Sequence, residues 1–229
     1  MMLATLDSLI DNDWQVDIED MRERFNAWLH DGEYAIDGKV FDCGNTVREA
    51  LRRGHGLDGE WDNGNGSLMR IMPLSFTDAG RETVGEVSAI THAHRLSQEC
   101  CWTWVQLLRS ALHGNGLGRL GSYAKGYGRD SVKSGGYVKD TFNAAIWCVA
   151  NTSNYRDCVL AAVNLGATPT PQQQSQEAWP ESYTATRPYP KNGGNNYRAR
   201  TSSNGYWIVF FLEKQFPKNE DSAVSLRIL

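Results

Sequence analysis

The sequence predicts an all-α fold. Between Leu3 and Leu165, apolar residues recur mainly at helical spacing, and that part of the chain contains no convincing strand. Polar or glycine-containing turns separate the helical segments. The chain has 229 residues, of which 41% are hydrophobic, which is enough for one domain with a core.

The first predicted helices lie in the amino-terminal third of the chain. Residues 3–10 have one apolar face, and a second helix follows Asp17, which can cap it ahead of an acidic first turn. Gly32 would end this helix. Its inner face is expected to carry Met21, Phe25, Trp28 and Leu29.

A third helix is expected after Asn45 or Thr46, either of which can cap it. Residues 123–136 are rich in glycine and lysine and are expected to form an exposed excursion. Four further helices are predicted, of which the one at 96–112, rich in Trp and Leu, should be central: 84–90, 96–112, 141–150 and 155–165.

The chain is organised around residues 63–74, which read Asn-Gly-Asn-Gly-Ser-Leu-Met-Arg-Ile-Met-Pro-Leu. The alternating Asn and Gly residues can adopt positive φ, so that free N–H groups could face an anion. The apolar second half predicts a helix entering the core, with the permanently charged Arg70 at the junction. These features indicate recognition of a phosphate-bearing ligand. A tight loop that caps a buried helix explains the local pattern equally well.

Other polar residues are ambiguous on local pattern alone. Asp42 and Asn45 have the residue types that most often form turns. His92 and His94 are two residues apart and cannot share one helical face, which disfavours a zinc pair on a helix. A single histidine is more often a hydrogen-bonded structural residue than a catalytic one.

Composition excludes several classes of protein. The net charge of −4 argues against nucleic-acid binding, and no apolar run is long enough to span a membrane. There is no apparent signal peptide. The odd number of cysteines without a C-x-x-C pair predicts reduced, mostly buried thiols in a cytoplasmic protein, with zinc binding as a weak alternative: Cys43, Cys100, Cys101, Cys148 and Cys158.

Five short motifs, in this order along the chain, resemble the ADP-ribosylglycohydrolase family. The most specific is Asn-Gly-Asn-Gly-Ser-Leu-Met-Arg, and together the motifs span nearly all of residues 1–166. The resemblance implies an orthogonal helical bundle that removes ADP-ribose from modified side chains with two magnesium or manganese ions. The matching segments are 41–46 (Phe-Asp-Cys-Gly-Asn-Thr), 63–73, 91–94 (Thr-His-Ala-His), 136–138 (Gly-Tyr-Val) and 163–166 (Val-Asn-Leu-Gly).

The resemblance also implies roles for individual residues. Asp42 and Asn45 would contact the terminal ribose, and His92 or His94 would lie beside the adenosine or the diphosphate. Backbone donors suit a diphosphate, while carboxylate and amide groups suit ribose hydroxyls. The partner would be ADP-ribose or an ADP-ribosylated protein. The loop beneath the ligand would be lined by Asn63, Gly64, Asn65, Gly66, Ser67 and Met69.

The sequence departs from the family at both metal-binding motifs. The family has Thr-Asp-Asp-Thr near its start and Asp-Thr-Asp-Thr near its end, and neither occurs here. Residues 2–4 resemble the family's segment just after the first motif, so residues 1–166 are expected to form a partial domain. Asp42 alone cannot supply a two-metal site, because hard divalent ions need several oxygen ligands. We therefore expect no bound metal and no appreciable hydrolase activity.

The composition changes at Ala167. All prolines except Pro73 lie after this point, and residues 167–229 are predicted to be an irregular, poorly ordered tail. The codons GCG ACA CCG ACA CCG would encode residues 167–171 and, read from the third base, would give Asp-Thr-Asp-Thr. We hypothesise that a one-base frameshift near Gly166 makes this tail an out-of-frame translation. Other codons at residues 167–171 would refute that hypothesis.

Three functions are consistent with the sequence. The first is an ADP-ribosylglycohydrolase by descent, inactive as this chain. The second is a metal-free remnant that binds ADP-ribose, and the third is a structural or interaction protein without enzymatic activity. Nucleotide binding without turnover would separate the second from the third.

Overall fold

The computed structural model describes residues 1–113 and 128–165, and within these two ranges the fold is all-α, as predicted. No strand occurs there beyond two isolated bridges, Leu57 with His92 and Gly64 with Tyr137. The predicted tail, and residues 123–127 of the predicted excursion at 123–136, lie outside the described residues. The helices are α1 (Met2–Asp11), α2 (Ile18–Asp31), α3 (Asn45–Arg53), α4 (Arg81–Ala89), α5 (Arg95–Leu112), α6 (Val138–Ala150) and α7 (Tyr155–Leu165).

Both ends of α2 agree with the sequence prediction. The Asp17 carboxylate accepts a hydrogen bond from the Asp20 N–H at 3.0 Å and caps the first turn. Gly32 ends the helix with a φ of 75°, and a Cβ atom there would lie 1.9 Å from the Gly38 carbonyl oxygen. Only glycine fits this position. Of the expected inner face, Met21 and Phe25 are fully buried, whereas Trp28 and Leu29 are only half-buried.

The start of α3 differs from the prediction. Gly44 is the N-cap residue and makes no side-chain cap, while Asn45 is already helical. The Thr46 hydroxyl instead donates to the Asp62 carboxylate at 3.3 Å. The prediction that Asn45 or Thr46 caps α3 is therefore wrong. Asn45 is exposed within the helix, and the Thr46 hydroxyl is bonded to the segment that contains Asp62.

The α5 helix is central, as predicted. It packs against α4, against α6 and against the short turns that come after the loop at 63–67. Its inner face contributes Cys101, Val105 and Leu108, all 1% exposed or less. On the α6 side the Trp104 and Phe142 rings meet edge to face, with centroids 5.9 Å apart.

The segment after the central loop is not the α-helix that the apolar pattern predicts. It forms two 3₁₀ turns, Leu68–Arg70 and Met72–Phe76. Pro73 lies at the start of the second turn, and its missing N–H prevents an uninterrupted α-helical ladder. The segment still enters the core, since Ile71 and Leu74 are fully buried.

The cysteines are free thiols, as predicted, and four of the five are buried. Burial raises the pKa of the Cys100 thiol to about 11 and that of Cys148 to about 12. These thiols are therefore protonated at neutral pH and pack as small apolar groups. Among residues 1–113 and 128–165, none of the helices has the length and apolar character that a bilayer span requires.

Candidate functional site

The central loop, residues 63–67, is held by the backbone of the segment that leads into α6. The Asn65 N–H donates to the Gly136 carbonyl at 2.9 Å, and the Val138 N–H donates to the Asn63 carbonyl at 2.9 Å. These two bonds form the bridge between Gly64 and Tyr137. The loop is thus joined to a segment distant in sequence.

The two asparagine side chains of the loop are directed into the protein. The carbonyl oxygen of Asn63 accepts a hydrogen bond from the Ser97 hydroxyl at 2.9 Å, and its amide donates to the Glu60 carbonyl at 3.0 Å. The Asn65 amide donates to the Thr141 hydroxyl at 2.9 Å. Both side chains hold the loop on α5 and α6, which leaves the loop backbone as the part available to a ligand.

The loop glycines serve close packing and not positive φ. Among the described glycines, positive φ occurs at Gly32, Gly38 and Gly54 and not in the loop, so that part of the prediction is wrong. A Cβ on Gly66 would lie 2.8 Å from His92 Cε1 and 2.9 Å from Val47 Cγ2. The loop therefore needs glycine because an imidazole and a valine lie against its backbone.

His92 is the imidazole beneath the loop. It is 1% exposed, and its Nδ1 lies 2.8 Å from the Thr91 hydroxyl. Burial, with a smaller contribution from the nearby Arg70 charge, lowers the pKa of His92 to about 3. The ring is neutral at physiological pH and supports the loop from the core side.

His94 has a separate structural role. Its Nδ1 accepts a hydrogen bond from the Leu96 N–H at 3.1 Å and caps the first turn of α5. The ring is half-buried. His94 is thus the N-cap residue of α5, whereas His92 is bonded to Thr91 in the turn before it, and the two rings have separate partners.

Arg70 does not face a ligand. It is fully buried, and its guanidinium donates to the carbonyls of Val87 at 2.9 Å, Ser88 at 3.4 Å and Gly66 at 3.3 Å. It also lies over the Phe25 ring, 4.7 Å from the centroid. The prediction that Arg70 takes part in phosphate recognition is therefore wrong, because its donors are directed to backbone carbonyls in the core.

Ser67 is the last residue of the central loop, and Met69 lies in the 3₁₀ turn that follows it. Ser67 is fully buried, and its hydroxyl accepts a long hydrogen bond from Cys101 Sγ at 3.5 Å. Met69 is half-buried. The N–H groups of Gly66, Ser67 and Leu68 make no hydrogen bond to another backbone group within residues 1–113 and 128–165. Ser67 and Leu68 are buried, so the N–H of the half-buried Gly66 is the one of these donors that an anionic oxygen could reach from outside.

The start of α3 lies beside the loop. Val47 contacts Gly66, and the Thr46 hydroxyl is hydrogen-bonded to Asp62, the residue before the loop. Asp42 and Asn45 are exposed; Asn45 is the first residue of α3, and Asp42 lies three residues before it. The structure thus brings the 41–46 and 63–69 segments together.

Sequence reasoning missed the link between Thr46 and Asp62. It also missed two exposed aromatic residues at this edge, Phe41 at 86% and Trp61 at 95%. The available signal was their position, because Phe41 is the first residue of the 41–46 motif and Trp61 lies two residues before the 63–73 motif.

A family model described as ADP-ribosylglycohydrolase matches residues 1–168. The chain belongs to this family. A solved structure titled "ADP-ribosylglycohydrolase-related protein complex" is similar in fold, with a TM-score of 0.53 and 24% identity over 72% of this chain and 62% of that one.

Curated relatives of this family member include two proteins named ADP-ribosylarginine hydrolase Tri1. The one from Pseudomonas putida (strain GB-1) is 33% identical over 60% of this chain and 45% of the relative. The one from Serratia proteamaculans (strain 568) is 30% identical over 66% of this chain and 49% of the relative. ADP-ribosyl-[dinitrogen reductase] glycohydrolase from Rhodospirillum rubrum is 27% identical over 66% of this chain and 56% of the relative. The chain therefore spans about half the length of these relatives.

The ADP-ribosylglycohydrolase family is generally metal-dependent, but the described residues do not fit a two-metal centre. Nowhere in residues 1–113 and 128–165 do three His, Cys, Asp or Glu side chains come together as a metal site would require. Near the loop, Asp62 is hydrogen-bonded to Thr46, and Asp42 stands exposed. The carboxylates near the loop do not converge, so they do not supply the oxygen ligands that two divalent ions need. No step of a mechanism is therefore assigned to metal in this part of the chain.

Proposed function

We propose that this chain binds the ADP-ribose group of an ADP-ribosylated protein at the edge formed by residues 41–46 and 63–69. The observation that carries the proposal is the construction of the central loop. Its asparagine side chains and Arg70 are bound in the interior, while the N–H groups at 66–68 have no backbone partner in the described residues. The N–H of the half-buried Gly66 lies at the surface of this loop and needs an acceptor, which a diphosphate oxygen supplies.

Asp42 and Asn45 are proposed to contact the terminal ribose. Carboxylate and amide groups bind vicinal hydroxyls well, because the first accepts and the second both donates and accepts. Their exposure beside the loop supports this role. The buried His92 is proposed to position the loop and not to contact ligand directly.

The modification recognised is proposed to be ADP-ribose on arginine. Two of the relatives are named ADP-ribosylarginine hydrolases, and the third acts by its name on ADP-ribosyl-dinitrogen reductase. ADP-ribosyl-serine and O-acetyl-ADP-ribose are the alternatives that a binding panel would separate.

Turnover by this chain alone is proposed to be absent. The sequence contains neither of the carboxylate motifs with which its family holds metal, and the described residues form no substitute. Binding would then be independent of divalent ions. The frameshift hypothesis for residues 167–229 concerns residues outside the structural description and stays a prediction, testable from the gene.

Calorimetric titration with ADP-ribose, with and without Mg²⁺, tests the proposal. We expect binding in both conditions, weakened about tenfold by Asn45→Ala or Asp42→Asn because each removes a charge-assisted or paired hydrogen bond. Asp31→Asn, an exposed carboxylate at the end of α2, is the matched control and should bind like the parent chain.

Two results would overturn the proposal. Binding that requires Mg²⁺ would mean that the chain holds metal through a different set of residues. Absence of binding by a folded sample would favour the structural or interaction role.

A further inference from the structure

Two aromatic side chains are almost entirely exposed at the edge of the proposed site. Trp61 is 95% exposed and Phe41 is 86% exposed, although aromatic residues are highly buried on average. The hydrogen bond between Thr46 and Asp62 joins the two segments that carry them. Trp61 directly precedes Asp62, and Phe41 lies five residues before Thr46. We call this pair the aromatic rim.

The Asp62–Thr46 hydrogen bond links the segment of Trp61 to the start of α3, where Asn45 is proposed to contact the terminal ribose. Phe41 is adjacent to Asp42, which is proposed to contact the terminal ribose. In an ADP-ribosylated protein the terminal ribose is the sugar bonded to the modified side chain. In the proposed complex, the polypeptide that carries the modification passes close to the segment that carries Trp61.

The charge around Trp61 indicates what kind of polypeptide fits. Residues 57–62 read Leu-Asp-Gly-Glu-Trp-Asp, with three carboxylates and no lysine or arginine. The nearest arginines before them, Arg52 and Arg53, are both paired with Glu49 at 2.6 Å. An exposed indole flanked by carboxylates suits a lysine or arginine side chain, through its ring face and through charge.

We infer that Trp61 is a docking point for a positively charged side chain of the polypeptide beside the ADP-ribosylated residue of a protein substrate. The inference rests on the proposed function, and it adds a contact to the protein part of the substrate that free ADP-ribose does not make. Trp61 acts as the anchor, since large aromatic side chains dominate the energy of such contacts.

The experiment compares two ligands, free ADP-ribose and a peptide with one ADP-ribosylated arginine flanked by lysine and arginine. For Trp61→Ala we expect the peptide Kd to rise about tenfold, the size typical of an aromatic anchor, and the ADP-ribose Kd to change less than about twofold. Trp61→Phe keeps an aromatic face and should retain most of the peptide affinity. Trp14→Ala, a Trp 44% exposed outside the rim, is the matched control and should change neither Kd.

A second peptide, with alanine in place of the flanking lysine and arginine, tests the charge of the partner. The effect of Trp61→Ala should fall to less than about threefold with this peptide, because the cation is missing. An unchanged effect would overturn the assignment of a cationic partner. If Trp61→Ala weakened the affinity for both ligands equally, or for neither, the docking proposal would be overturned and the proposed function would stand. If the parent chain bound neither ligand, the proposed function would fail and the inference with it.

Discussion

His92 is the residue on which the geometry of the site depends most. Its ring fills the space beneath two loop glycines and is held by Thr91. Because the ring is buried and close to the charge of Arg70, the folded protein keeps it neutral. A proton on His92 would place a second positive charge in an apolar interior, so acid should loosen the loop through this side chain.

The free energy of unfolding should depend on pH because His92 is buried in the folded protein and not in the unfolded chain. Its pKa is about 3 in the folded protein, against 6.5 for an unperturbed histidine, so the unfolded chain takes up a proton first as the pH falls. The contribution of His92 is therefore fully present above pH 6.5 and declines towards pH 3. Between pH 7 and pH 5 it should lower the free energy of unfolding by about 2 kcal/mol.

Urea unfolding at these two pH values measures the effect. His92→Gln should remove about this much of the decline, whereas His55→Gln, which changes an exposed histidine, should leave it unaltered. An unchanged slope in His92→Gln would mean that His92 is not the group that titrates.

Gly66 should tolerate no side chain. Its Cβ would approach His92 and Val47 to within 2.9 Å, and both neighbours are buried. We expect Gly66→Ala to lower the free energy of unfolding by about 1–3 kcal/mol through overpacking. Gly136→Ala is the control, since a Cβ there meets nothing within 4 Å. Equal stability of the two variants would show that the loop can move away from His92.

At the scale of elements, the loop is a junction between helices distant in sequence. Asn63 is bonded to Ser97 on α5, and Asn65 to Thr141 on α6. Both pairs are largely removed from water, where an unpaired polar group is costly. The loop thus fixes the ends of two helices as much as they fix the loop.

A double-mutant cycle on Asn63→Ala and Ser97→Ala measures this junction. Each single variant leaves a buried partner without its bond and should lower the free energy of unfolding by about 1–3 kcal/mol. The double variant should cost less than the sum, with a coupling of about 1 kcal/mol. Strict additivity would argue against a direct bond between these side chains.

Features that depend on hydrogen bonds between residues close in sequence could be predicted. Features that depend on bonds between residues far apart in sequence could not. The cap of α2 joins residues three apart, so the roles of Asp17 and Gly32 could be predicted from the chain. The Asn63–Ser97 bond joins residues 34 apart, and no local pattern indicates it. The same limit explains the wrong role for Arg70, whose acceptors Val87 and Ser88 lie on another helix.

The family resemblance identified the segments of the candidate site but not how their side chains point. It grouped 41–46, 63–73 and 91–94, and the structure packs Gly66 against His92 and against Val47, the residue after the first of these segments. Which residues face outward depends on burial, and Asn63, Ser67 and His92 are interior groups. The local sequence pattern does not show which side chains face outward, because the same Asn-Gly run occurs in exposed turns and in buried ones.

For the whole molecule, exposed apolar side chains on α7 affect the tendency of the protein to self-associate. Leu160 and Val163 are 43% and 46% exposed and lie one turn apart on the helix. Together with Leu112 on α5, at 38%, they favour self-association at high concentration. We expect the chain to be marginally stable or prone to aggregate.

Light scattering during a thermal ramp tests this expectation. Val163→Lys removes apolar surface and should delay the onset of scattering by several degrees, on the order of the shift that about 1 kcal/mol produces. Asn164→Lys adds the same charge at an exposed neighbour and should have a smaller effect. A cooperative transition of a soluble monomer in the parent chain would contradict the expectation.

The buried guanidinium of Arg70 has a kinetic consequence. By binding the carbonyls of Gly66, Val87 and Ser88, it joins the central loop to the last turn of α4. With the two backbone bonds to the segment before α6, the loop is pre-organised, and ligand binding has little conformational entropy left to remove. Ligand association should therefore be a single step, with an observed rate that rises linearly with ligand concentration and reaches no plateau.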